Sequence, residues 1–362
     1  MHNIIKPIPL NKLSNEPLVS VWMTNYNYAN FLDESINSVL NQTYFKFELI
    51  ICDDGSKDDS VDIIQEFCNK NNRVKLIKKK NGGPTSSLNK IYDYSNGEII
   101  CFLDADDSFV ENKLEMVVKN FKEKPKCGVH FHAMMRINEN GKHEGRYPLI
   151  SKIPNGFLTE DVLKNSIGFL NIPPMSGISL RRKLTEIIFP LYDEIKTNSD
   201  AFIINTSLLL SCAISNETVM GNYRLHNKNL TNFSLNKNDI AELIKMKEKD
   251  ISLNLMIYNA VNKWLYEKIN PQLKLGEIDN NWFYIEDKYV IMLLKEKSLK
   301  SEIEYWKSKL LSHHLTQSSN HLYYFYKFLN FLPRKSIKSL LLLKYSQGKT
   351  KKLVGKILNR NQ

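Results

Sequence analysis

The stretch Glu98–Asp107, Glu-Ile-Ile-Cys-Phe-Leu-Asp-Ala-Asp-Asp, constrains this chain more than any other. Ile99 to Leu103 is an unbroken apolar run between the turn signals Asn96-Gly97 and Asp104–Ser108, too short for a helix of its own. Such a run reads as a strand buried on both faces, the kind found in parallel sheets covered by helices. It ends in three carboxylates, Asp104, Asp106 and Asp107. Ligands of α/β sheets gather at the carboxyl ends of parallel strands, so the acidic cluster stands where chemistry is done. Like charges this close repel, and a bound cation or a helix N-terminus relieves them. Oxygen ligands favour Mg²⁺ or Mn²⁺, ions that bridge carboxylates to phosphate oxygens. The plainer alternative is a loop whose aspartates cap the helix near Asn112–Phe121.

Taken in order, the first half alternates strands and helices. Strands are expected at Leu18–Met23, Phe47–Cys52, Val74–Ile77, Ile99–Leu103 and Gly128–Met135. Helices are expected from Phe31 to Asn41, at Val61–Asn69 and Thr85–Tyr94, and around Lys113–Phe121. This is a βαβ series, hence an α/β fold with a mainly parallel sheet. Polar loops then share one end of the sheet: Thr24–Asn27, Asp53–Ser56, Asn81–Pro84 (with Gly82 and Gly83) and Asp104–Asp107. No Gly-x-Gly-x-x-Gly follows the first strand, which argues against a dinucleotide site. Gly348-Lys349-Thr350 imitates a P-loop ending, but Leu343 stands where its first glycine is required.

Four motifs in register carry a resemblance. Val-x-Met-Thr-x-Tyr-Asn at 21–27, Ser-Val-Leu-Asn-Gln-Thr-Tyr at 38–44, Glu-Leu-Ile-Ile-Cys-Asp-Asp-Gly-Ser at 48–56 and Leu-Asp-Ala-Asp-Asp at 103–107 resemble family 2 glycosyltransferases. The resemblance covers residues 17–135 and, more weakly, 170–230. It implies a GT-A fold, a nucleotide-diphospho sugar donor carrying uridine, a divalent metal (Mn²⁺ or Mg²⁺) and inversion at the anomeric carbon. It also assigns roles. Thr24, Tyr26 and Asp54 would hold the base, with Asp53 the other candidate for its hydrogen bond, and Asn27 and Gly83 would line the same donor site. Asp104 would reach the ribose, and Asp106 the metal, with Asp107 either a second ligand or an acceptor contact. One departure stands out: Leu88 takes the place of an arginine that the family often carries after the third strand.

Gly141 to Pro174 is rich in Pro and Gly, including Pro148, Pro154 and Gly168, and reads as the crossing to an acceptor half. There Asn198-Ser199-Asp200 opens a helix through Leu210, so any of the three could be its N-cap. The resemblance instead makes Asp200 the general base, a role the chemistry needs because a sugar hydroxyl is a poor nucleophile. After a strand at Val219–Arg224, the segment Tyr223-Arg224-Leu225-His226 resembles one in which His226 completes the metal shell and Arg224 approaches phosphate. His130, His132, His313 and His314 read as structural.

Beyond Asp239 the pattern is helical and carries no catalytic motif. Leu322–Leu332 is aromatic, and from Arg334 to the end there are nine Lys or Arg and no acidic residue. These account for nine of the net +11, so the basic character belongs to a tail and not to a nucleic-acid-binding surface. Residues 334–362 suit either contact with an anionic membrane or a solvated tail capping a helical subdomain. The expected organisation is a lead at 1–16, a glycosyltransferase domain at 17–235 (nucleotide half 17–140, acceptor half 141–235), a helical extension at 236–332 and the tail at 333–362. The widely spaced cysteines, Cys52, Cys68, Cys101, Cys127 and Cys212, read as reduced core residues of a cytosolic protein. Met1–Pro17 lacks the apolar core of a signal peptide, and no run of about 18 apolar residues occurs.

The expected activity is transfer of a sugar to a hydroxyl of a glycan acceptor, in bacterial surface polysaccharide synthesis. Its rivals are a nucleotidyltransferase with a related sheet, which would carry a Gly-rich loop after the first strand, and a non-catalytic nucleotide-sugar-binding scaffold. Oligomeric state is left open.

Overall fold

The structure, a computed structural model, describes residues 5–147, 153–165, 172–226, 229, 239–295, 299–316, 320–329 and 331–345. Pro148 and Gly168 of the expected crossing, Asn227, and the tail beyond residue 345 lie outside the described residues. The chain divides into two compact units. The first comprises Met1–Leu163, Phe169–His226 and Ala260–Lys274, the second Lys164–Gly168, Asn227–Asn259 and Leu275–Gln362. The units part at His226, slightly before the expected limit at 235, and Ala260–Lys274 returns to the first unit.

Among the described residues one nine-stranded sheet forms the first unit's frame. Its strands are β1 (Val19–Asn25), β2 (Phe47–Asp53), β3 (Val74–Lys78), β4 (Ile99–Asp104), β5 (Ser108–Phe109), β6 (Cys127–Asn138), β7 (His143–Tyr147), β8 (Ile178–Arg181) and β9 (Cys212–Leu225). Between them lie helices α1 (Ala29–Leu40), α2 (Ser60–Lys70), α3 (Pro84–Tyr94), α4 (Lys113–Glu123), α5 (Thr159–Asn165), α6 (Arg182–Ile188) and α7 (Ser199–Leu210). The strand order is β3-β2-β1-β4-β8-β6-β9-β5, with β7 pairing β6. β1, β2, β3 and β4 are mutually parallel, and β6 runs parallel to β9, while β5, β7 and β8 pair antiparallel to their neighbours.

The apolar run of β4 is continuous because both its faces are covered. Ile99, Cys101 and Leu103 pack into a cluster with Leu32, Ile36 and Val39 of α1 and Leu114 and Val117 of α4. On the other face Phe102 meets Trp22 edge-on at 5.5 Å, and Trp22 meets Phe189 at 5.2 Å. Leu88, in the place of the expected arginine, is a buried residue of α3. β7, which completes a hairpin with the expected strand β6, is additional to the expected strands, although Asn140-Gly141 signals it, with Gly141 at φ +76°.

Two cysteines overturn the expectation of five free thiols. β6 and β9 set Cys127 opposite Cys212 with Cα atoms 4.7 Å apart, and the two form a disulfide. A separation of 85 residues hid a pairing that only the sheet register creates. Cys52, Cys68 and Cys101 are free.

The second unit is helical. Helix α8 (Ile240–Trp264) reaches it through residues 240–259, followed by α9 (Trp282–Leu294), α10 (Lys300–Thr316), α11 (Asn320–Leu329) and α12 (Arg334–Tyr345). α12 occupies the first part of the expected tail. Its Ile337 and Leu341 are buried, and Lys344 bonds Glu286 of α9 at 2.5 Å, so residues 334–345 are part of the helical core. Tyr326 and Tyr345 donate to the same Glu286 carboxylate, and Lys247 pairs with Asp287 at 2.7 Å. No helix among the described residues is long and apolar enough to cross a membrane.

Candidate active site

Register brings the site together before any side chain is considered. β1 pairs Thr24 with Asp104 of β4 and Asn25 with Asp53 of β2, so three neighbouring strands end in line. Asp53 organises the loops that leave them. Its carboxylate accepts from Asn25 Nδ2 at 2.7 Å, Ser56 Oγ at 2.6 Å and the backbone N–H groups of Gly55 and Ser56. Ser56 Oγ in turn accepts from the N–H of Asn27, a residue at φ +59°, and Asn27 Oδ1 accepts from Lys57 N–H at 2.7 Å.

Asp54 ties in the third loop. Its two oxygens accept from the N–H groups of Gly82 (2.9 Å) and Gly83 (2.7 Å) and from the Lys79 ammonium. Gly83 adopts φ +86°, and a Cβ there would come 3.1 Å from the Lys196 carbonyl. The glycine therefore lets this loop pack against the segment that leads into α7. Thr24 is half-buried and Tyr26 is exposed.

The acidic loop after β4 is held from several directions. Ser176 Oγ accepts from Asp104 N–H (2.9 Å) and donates to Asp107 Oδ2 (2.6 Å), while Asp107 Oδ1 accepts from Arg224 N–H (2.9 Å). Both Asp107 oxygens are thus engaged by the protein itself, which makes Asp107 a brace for the loop. Asp106 Oδ2 lies 2.9 Å from His226 Nε2. The imidazole is stacked on Phe31 with centroids 4.7 Å apart and meets Tyr28 edge-on at 5.6 Å.

Arg224, expected to face phosphate, is turned inward and only 2% exposed. Its guanidinium donates to the Asp106 carbonyl (2.9 Å), the Glu139 carbonyl (3.2 Å) and the Glu34 carboxylate. In this arrangement it fixes the acidic loop. Glu34, Tyr28 and Phe31 all belong to α1 or its approach and were missed by motif reasoning. Only Tyr28's position right after the Tyr-Asn motif hinted at it.

Electrostatics reports how closely these groups gather. Burial, then the charges of Asp106 and Asp200, raise the Asp104 carboxyl well above the usual carboxylate range. Burial, Asp106 and Asp104 raise Asp107 in the same way. Asp200, 96 residues along the chain from Asp104, is therefore a close electrostatic neighbour of it. Asp200 is the second residue of α7; the N-cap is Asn198, left-handed at φ +58° and without a side-chain capping bond. The Asp200 carboxylate accepts from Ala201 N–H at 2.8 Å, and burial raises its pKa.

Asp106 and His226 offer one oxygen and one nitrogen donor side by side; the carboxylate suits Mn²⁺ or Mg²⁺, and the imidazole favours Mn²⁺ of the two. Among the described residues no group of three or more His, Cys, Asp or Glu is arranged as a metal shell. His130 and His132 are fully buried in the core. The side chains of His313 and His314 lie outside the described ones.

Residues 20–184 match the family model for glycosyl transferase family 2. Those 165 of the chain's 362 residues carry a glycosyl transferase family 2 domain. A glycosyltransferase of Nostoc sp. is 32% identical over 214 residues, covering 58% of this chain and 66% of its own length. Hyaluronan synthase of Pasteurella multocida is 32% identical over 135 residues, 37% of this chain and 14% of that protein. The chain thus spans less than two thirds of either relative. Residues 1–349 of TarS from S. aureus, solved with UDP-GlcNAc, align over 82% of this chain and 89% of theirs, at 16% identity and a TM-score of 0.48. The mixed α/β sheet with its acidic strand end is the GT-A fold of the family.

Proposed function

We propose that this protein is an inverting glycosyltransferase that moves a sugar from a nucleotide-diphospho sugar, UDP-linked, to a hydroxyl of a glycan acceptor in surface polysaccharide synthesis. The observation that carries this reading is that Asp104, at the end of β4, feels the charges of both Asp106 and Asp200, the latter from the far half of the domain. Support for the polysaccharide comes from the relative named hyaluronan synthase.

In this reading Thr24, Tyr26, Asn27, Asp53, Asp54 and Gly83 form the base end of the donor site, and Asp104 meets the ribose. Asp106 and His226 would hold a divalent cation, whose charge stabilises the diphosphate as it leaves. Further ligands would come from the diphosphate and water. Phe31 and Tyr28 keep the His226 ring in place, and Arg224 fixes the loop that presents Asp106. The acceptor oxygen forms its bond to the anomeric carbon from the face opposite the leaving diphosphate, so the configuration inverts. The acceptor's proton passes to Asp200 as the bond to the diphosphate oxygen breaks. A base with a raised pKa holds that proton better than an ordinary aspartate. Asp200 must be ionised to act, so transfer declines as the pH falls through its raised pKa.

Asp200→Asn tests this role, because the amide keeps the shape and cannot take the proton. Transfer should fall by roughly 10²–10⁴ while nucleotide binding and the melting temperature stay near wild type. Transfer at close to the wild-type rate would assign the base elsewhere.

A further inference from the structure

Helix α11 divides its aromatic residues between two faces. Phe325, Tyr326 and Leu329 point into the second unit, where Tyr326 meets Trp282 and Tyr289 and donates to Glu286. Tyr324, Phe328 and Phe331 lie on the other side, 63%, 54% and 78% exposed. The spacing 324, 328, 331 is one helical stripe, continued by Phe331 in the turn just past the helix end. Water gains nothing from two exposed phenylalanines on one stripe, and such a face marks a contact surface.

The residues around the stripe say what it touches. Lys327 lies between Tyr324 and Phe328 in sequence and is exposed, as is Lys335 of α12. Five further cations, Lys349, Lys351, Lys352, Lys356 and Arg360, follow α12 in sequence, and no carboxylate lies between Asn320 and the end of the chain. The apolar residues Ile337 and Leu341 of α12 are spent on the core, and Lys344 is spent on Glu286. The described surface here is therefore aromatic on α11, with the exposed cations Lys327 and Lys335 close to it in sequence.

We propose that this stripe is a membrane-docking face that inserts Phe328 and Phe331 into the interface of an anionic lipid surface, with Lys327 and Lys335 on its headgroups. Aromatic side chains at interfacial depth and lysines against acidic headgroups are complementary terms, and reversible anchoring generally takes both. The inference goes beyond the transfer reaction and stands or falls separately from it.

The test uses the full chain with vesicles of phosphatidylcholine alone or with about a third phosphatidylserine. Wild type should sediment with the anionic vesicles and not with the neutral ones. Phe328→Ser/Phe331→Ser should lower binding at least tenfold with an unchanged far-ultraviolet spectrum. Neutralising two lysines, Lys327→Gln and Lys335→Gln, should lower it at low salt, a difference that closes as salt rises. If the serine variant binds like wild type and only the glutamine variant is weakened, the lysines act alone and the stripe is overturned. Equal binding to neutral vesicles, or no binding by wild type, overturns it as well. So would a wild-type dimer that the serine variant turns into a monomer, because the face would then be an interface between copies.

Discussion

In the first unit, burial and neighbouring carboxylates hold Asp104 and Asp107 above the ordinary range. In the second, Glu286 is just as deeply placed, yet Lys344 and Lys247 overcome the effect of burial and draw it down to about 2. The two units bury carboxylates for different ends. Around Glu286 the chain supplies its own cations and phenol donors, and the result is cohesion between α9, α11 and α12. Around Asp106 several carboxylates raise one another, an arrangement that the proposed cation would relieve.

The largest expected effect breaks the comparison from the structural side. Glu286→Gln leaves the part-buried Lys344 with its charge unopposed at that site and should cost about 3 kcal/mol in urea unfolding. Asp106→Asn removes one of several mutually repelling charges and should leave the melting temperature unchanged or higher. If both variants lose stability alike, the two clusters are the same kind of structure.

A smaller effect sharpens it through pH. Glu286 has its pKa lowered from 4.5 to about 2, so its contribution is complete above the unfolded value and is lost as the pH falls toward 2. Asp287 runs the other way: burial raises it from 3.8 to about 7, so its contribution is complete below 3.8 and is lost as the pH rises through 7. The second unit should be most stable in mildly acidic solution. A melting temperature that rises steadily from pH 4 to 8 in a Glu286→Gln background, where Asp287 dominates, would contradict this.

Much of the first unit was legible because its signals are local. Unbroken apolar runs define β1, β2 and β4, and the acidic motifs sit at their ends. Asp200 and His226 were reached through resemblance, since nothing near them in sequence marks them. What stayed hidden depends on distant pairing. Arg224 is held by Glu34, 190 residues away, and that contact decides whether its guanidinium turns inward. Cys127 and Cys212 meet only through the β6–β9 register. The tail left two readings open because its lysines are visible in sequence, whereas the burial of Leu341 and the partner of Lys344 appear only when the helices pack.

The central claim is that the cluster at the end of β4 takes up a cation together with a nucleotide diphosphate. The most direct measurement is the melting temperature of wild type and Asp106→Asn with UDP, in the presence and absence of Mn²⁺. A ligand bound only by the folded state at a hundred times its Kd adds about 2.7 kcal/mol of stability. Wild type should show a rise with UDP that requires Mn²⁺, and Asp106→Asn should melt cooperatively with no such rise. An equal Mn²⁺-dependent rise in both proteins would place the cation elsewhere and contradict the account.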